Sequence, residues 1–186
     1  RWVVGGVRVG EPVAVGGGRL VSGAVSVVPW VGLSGGIALG TVAAVAQPRR
    51  WGRRPPHTSL ATGLLGVGLA ATTVAGVAWQ GVPQGTGPTA SSTLLAGMAA
   101  ILAGATVATL RSRCLGPARV TMAGTAAALG SWALLRRDVL SHAWLPTALP
   151  FGVDRAVTAI ALGAAAGAAA VLVWRPPTDS PSPARP

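Results

Sequence analysis

The sequence predicts an all-α membrane protein, a bundle of four or five Ala/Gly-rich transmembrane helices preceded by a short extended N-terminal arm. Three observations predict it: a composition too apolar for water, uncharged apolar blocks of spanning length, and arginine confined to the stretches outside those blocks. Of the 186 residues, 51% are hydrophobic and 10% charged, and the mean hydropathy is +0.57. A soluble domain carries about 25% charged residues. Too few polar side chains remain here to coat a water-facing surface, so lipid must be the solvent for much of the chain. Lys, Asn and Tyr are missing and Ala, Gly, Val, Pro and Arg dominate. A GC-rich coding sequence gives that bias, and a high-GC bacterium is the expected source.

Residues 1–27 form the arm. Val3, Val4, Val7, Val9, Val13 and Val15 alternate with small or polar neighbours and are broken by glycine, a pattern of short strands. Arg8, Glu11 and Arg19 make this stretch too polar to cross a bilayer, which places it outside the membrane, on the extracytoplasmic side. The chain opens on Arg1 with no signal-peptide pattern and reads as processed or as a piece of a longer protein.

A spanning helix needs about 20 predominantly apolar residues. The bundle, residues 28–174, offers five such blocks: 28–46, 59–79, 92–110, 120–135 and 156–174, none containing a charged residue. Pro29 falls in a first turn, where its missing N–H is harmless. The block 120–135 is the shortest, and close flanking by Arg119, Arg136 and Arg137 also fits a half-helix. The tail 175–186, of Pro, Ser and Arg, is too polar and proline-rich to pack and is expected to be disordered.

Orientation follows from the arginines. All 15 basic residues are Arg, against Glu11, Asp138, Asp154 and Asp179, for a net charge of +11. Arg49, Arg50, Arg53 and Arg54 follow the first block and Arg111, Arg113 and Arg119 the third, whereas 80–91 is uncharged. Cytoplasmic loops carry the basic excess. This puts the C-terminus in the cytoplasm, in a multi-pass protein of the cell inner (plasma) membrane. Three arginines in the outside loop 136–155 are the misfit, offset by Asp138 and Asp154. The expected pairings there are Arg136 or Arg137 with Asp138 and Asp154 with Arg155, as surface charge compensation. Trp30, Trp51, Trp79, Trp132, Trp144 and Trp174 lie at block ends, where indoles favour the headgroup level. Arginine in loops rather than on a helix face, without stacking aromatics, argues for lipid headgroups and against nucleic acid as the partner.

Small residues at four-residue spacing share a helix face and let backbones approach closely in lipid. Gly32, Gly36 and Gly40 do so in the first block, Gly68 and Gly76 around Thr72 in the second, Gly104 among alanines in the third, and Gly163 with Gly167 in the fifth. These are the expected helix-packing sites, within the chain or in a homo-oligomer or a complex with another membrane protein.

Chemistry is sparse. No metal site or cofactor is expected, with two separated histidines, scattered acids and the single Cys114. Thr72, Thr73, Thr106, Thr121, Thr125, Ser131 and Thr158 are the main polar side chains inside the blocks, expected to bond their own helix backbones. Gly32-Leu33-Ser34-Gly35 resembles the GxSG of rhomboid intramembrane serine proteases, which would imply Ser34 as nucleophile and a histidine base on a later helix. His57 belongs to the opposite side of the bilayer and His142 to a loop. Residues 1–80, an extended arm followed by a Gly/Ala helix, an Arg-rich turn and another helix, also resemble small membrane proteins encoded beside tryptophan biosynthesis genes in actinobacteria, a likeness that implies no activity. The leading expectation is a non-catalytic subunit or scaffold acting through helix packing. A small-molecule transporter or permease fragment is the alternative, and a rhomboid-like enzyme the third reading.

Overall fold

The computed structural model describes residues 2–8, 11–17, 25–46, 56–80, 90–141 and 149–173. The N-terminal arm is a two-stranded antiparallel hairpin. Strand β1 (Trp2–Arg8) pairs with β2 (Glu11–Gly17) in a register that sets Val4 against Val15 and Arg8 against Glu11. Five helices follow: α1 (Val28–Ala46), α2 (Pro56–Gln80), α3 (Ala90–Arg111), α4 (Leu115–Leu135) and α5 (Phe151–Val173). A 3₁₀ turn, Arg137–Leu140, extends α4.

Helix α1 coincides with its hydropathy block, whereas α2 to α5 each begin before theirs. Lipid offers no hydrogen bonds, so a segment within it must satisfy its own backbone, and the helix runs on until polar groups or water can take over. Thus α4 begins five residues before 120, at Leu115, and takes in Arg119; α5 begins five residues before 156, at Phe151, and takes in Asp154 and Arg155. At 21 residues α4 is a full helix of about 31 Å rather than a half-helix. Pro29, Pro56 and Pro117 all sit in first turns, where no N–H is needed.

Helix α3 ends abruptly. The Arg113 N–H donates to Leu110 O at 3.1 Å and the Cys114 N–H to Thr109 O at 2.9 Å, the paired bonds of a Schellman cap. That cap needs a left-handed residue, and Arg113 supplies it at φ 59°, where glycine is usual.

Spatial order departs from chain order. α1 packs on α5, α5 on α4, α4 on α3 and α3 on α2, while α2 also meets α5 and makes little contact with α1. Paired positions give the directions. Ser34 lies on Ala159 and Gly163, and Thr41 on Gly167, so α1 and α5 run parallel. Gly68 faces Ala100 and Gly104 faces Leu65, making α2 and α3 antiparallel; Gly124 faces Leu102 and Thr121 meets Thr106, making α3 and α4 antiparallel. Arg136 meets Asp154 and Gly130 meets Ala165, making α4 and α5 antiparallel. The helices therefore alternate up and down, and α4 traverses the full depth of the bundle.

The interior is built from small side chains. Ala71, Ala96, Ala99, Ala103, Ala161 and Ala168 are wholly buried, with Leu64, Leu129 and Trp132 among the larger groups. The large aliphatics face outward instead: Leu39, Leu69, Leu94, Ile101 and Val120 are each more than half exposed. Water would drive the reverse arrangement. Trp132 departs from expectation. It is 0% exposed, turned into the bundle rather than outward, because the helix face it shares with Leu129 and Ala133 turns inward.

Candidate functional site

The polar chemistry of the bundle collects where α4 ends and α5 begins. Arg136 caps α4, and its Nη2 donates to both carboxylate oxygens of Asp154, at 2.7 Å each. The pair is buried, with 10% of the Arg136 side chain and 1% of the Asp154 side chain exposed. The Arg136 guanidinium lies 5.4 Å from the ring centroid of Trp132, within cation–π range. One turn on, Arg155 Nε donates to Val139 O at 3.1 Å, tying the 3₁₀ turn to α5. Arg137 and Asp138 approach only to 3.9 Å and are exposed.

These contacts correct the expected pairings. Asp154 pairs with Arg136, not Arg155, because antiparallel helices joined by one connection bring residues equidistant from its middle together. Desolvation of both charges is offset only by such close geometry, so the pair fixes how the two helix ends meet. Of the three arginines of residues 136–155, Arg136 has a close carboxylate partner, Asp154 at 2.7 Å, whereas Arg137 stands 3.9 Å from Asp138. His142 and Trp144 lie outside the described residues.

The glycines divide into two groups. A Cβ at Gly163 would fall 3.0 Å from Ile37 Cβ and from Ser34 Cα, and closer still to Ser34 O; one at Gly167 would fall 2.8 Å from Thr41 Cβ. A Cβ at Gly68 would meet Ala100 Cα at 3.0 Å, and one at Gly104 would only just reach Leu65, at 4.0 Å. Around Gly32, Gly36, Gly40 and Gly76, by contrast, an added Cβ would meet nothing within 4 Å. The first three of these lie exposed along α1, away from α5. Gly124, against Leu102 Cδ1 at 3.0 Å, is a close approach that four-residue spacing did not single out.

Hydroxyl groups stitch the same seams. Thr72, Thr73, Thr106, Thr125 and Thr158 each donate to a carbonyl four residues back, as expected for hydroxyls in lipid. Thr106 and Thr121 also meet across α3 and α4 at 3.0 Å. Ser34 Oγ lies 2.9 Å from both Trp30 O and Ala159 O, so its proton is held by two carbonyls. His57 opens α2 at the far end of the bundle. The GxSG serine therefore serves as an interhelical hydrogen-bond donor against α5, with no base beside it among the described residues.

Four helices, α1, α2, α3 and α5, are long and apolar enough to cross a bilayer, and their outward faces carry the large aliphatic side chains. The chain is a multi-pass membrane protein. No protein-family model matches it, no curated protein resembles it, and no solved structure shares its fold detectably.

Proposed function

We propose that this protein is a non-catalytic subunit or scaffold of a membrane assembly, joined to a second copy or to another membrane protein through α1. The observation that carries this reading is the open glycine ridge of Gly32, Gly36 and Gly40. Among the described residues, helix α1 has one substantial neighbour, α5, and its ridge faces away from it with nothing within reach of a Cβ added at each glycine. Helices associate in lipid through close backbone contact rather than through hydrophobic gain, and a bare glycine ridge permits that contact. Thr72, Thr73, Thr106, Thr125 and Thr158 bond their own helix backbones, which suits packing better than a polar path.

In this reading all five helices cross the plasma membrane of the cell, the hairpin is extracytoplasmic, and the C-terminus is cytoplasmic. The end carrying Arg111, Arg113 and Arg119 then faces the cytoplasm, in line with the basic bias of cytoplasmic loops.

Replacement of Gly36 by Leu tests the ridge without disturbing the fold, because the new side chain projects into open space. In mild detergent or nanodiscs, the parent chain is expected to run as a homo-oligomer or with a stoichiometric membrane partner. Gly36→Leu should shift it to the single chain with unchanged helix content. An unaltered association state in Gly36→Leu would remove the ridge from the interface and this reading with it.

A further inference from the structure

The two ends of the bundle treat their arginines differently. Where α4 meets α5, Arg136 pairs with Asp154, Arg137 approaches Asp138, and Arg155 bonds to Val139 O. At the opposite end, Arg111, Arg113 and Arg119 fall within nine residues, all exposed, and no guanidinium among them has a hydrogen-bonding or ionic partner among the described residues. The described carboxylates of the bundle, Asp138 and Asp154, are both at the other end.

Three exposed like charges this close in sequence raise the local positive potential, which an anion would lower. The backbone adds to the demand. Arg113 occupies the left-handed position of the Schellman cap, where glycine would sit without strain, so the fold holds a guanidinium where its own stability favours none. No side chain caps the start of α4, which leaves the positive end of that helix beside the arginines. On the bundle side of these arginines, Val120 of α4 and Ile101 of α3 are exposed at 72% and 73%.

A cationic rim over an apolar wall matches one amphiphile, a phosphate-bearing headgroup with its acyl chains beneath. We propose that the α3–α4 turn is a docking surface for anionic phospholipid headgroups, held by Arg111, Arg113 and Arg119. The inference rests on the proposed membrane orientation, which gives this end the anionic cytoplasmic leaflet.

The test uses the full chain in mild detergent, titrated with phosphatidylglycerol or phosphatidylcholine and read by native mass spectrometry. Phosphatidylglycerol should be retained preferentially, and R111Q, R113Q and R119Q should each weaken it about fivefold, as should high salt. R113G separates binding from architecture: it should raise thermal stability by relieving the left-handed strain while weakening lipid retention. Undiminished preference in the triple variant, or R113G retaining lipid in full, would overturn the proposal. Inorganic phosphate competing as well as the lipid would also overturn it, in favour of a free-anion site. Cys114, exposed on the same turn, tests orientation separately. Labelling by an impermeant maleimide only after cell lysis supports the cytoplasmic placement. Labelling of intact cells overturns the orientation but leaves the detergent measurement of lipid preference intact.

Discussion

Replacing Gly163 with alanine should loosen α1 from the bundle although it adds a single methyl group. The new Cβ would stand 3.0 Å from Ile37 Cβ and Ser34 Cα and closer still to Ser34 O, so both backbone and side chain obstruct it. Unstrained carbon pairs sit at about 3.5–4.0 Å, which requires α1 to retreat by about 1 Å. Overpacking of this kind costs about 1–3 kcal/mol. The same retreat stretches the 2.9 Å contact from Ser34 Oγ to Ala159 O, and an interhelical bond in a membrane contributes about 0.6 kcal/mol. Alanine's better helix propensity returns up to about 1 kcal/mol, leaving a net loss of about 1–3 kcal/mol. Gly167→Ala should cost a similar amount, since its Cβ would meet Thr41 Cβ at 2.8 Å. One retreat of α1 relieves both clashes, so the double variant should cost less than the sum. Unfolding in mixed micelles, followed by tryptophan fluorescence, measures all three. Gly36→Ala is the control, with open space at its Cβ and stability at or above the parent. A Gly163→Ala protein as stable as Gly36→Ala would refute this account of the α1–α5 seam.

The buried ion pair and the GxSG serine give further tests. Asp154→Ala leaves the Arg136 guanidinium buried without its carboxylate, and the same unfolding assay should show a loss of about 3 kcal/mol. Replacing both partners with leucine should recover much of that loss; a double variant as unstable as the single would argue against desolvation as the cause. Ser34→Ala should reduce stability by about 0.6 kcal/mol through the lost bond to Ala159 O. The variant should leave the turnover of a model transmembrane peptide in proteoliposomes unchanged, and a drop in cleavage would restore Ser34 as a nucleophile.

The helical membrane class of this protein was legible in the sequence because it depends on local quantities. An uncharged apolar run of spanning length has one low-energy backbone in lipid, whichever neighbours it finds. Val28–Ala46 is helical over the whole of its apolar block for that reason. The ends of α4 and α5 were less legible. Hydropathy stops at the first charge, whereas a helix stops where its backbone finds other partners, so Arg119, Asp154 and Arg155 fell outside the blocks yet lie inside the helices.

Partnership was the part that only tertiary structure decided. Four-residue glycine spacing occurs in α1 and in α5, but Gly163 and Gly167 press on a neighbour while Gly32, Gly36 and Gly40 face open space. Spacing places residues on a common face, and only the packing of α1 against α5 decides which face is covered. Asp154 likewise has Arg155 beside it in sequence and Arg136 across the helix pair, and antiparallel packing selects the distant one. Lipid solubility and helix content follow from what each residue is; the occupied faces and the paired charges follow from where five helices of nearly uniform Ala/Gly composition come to rest against one another.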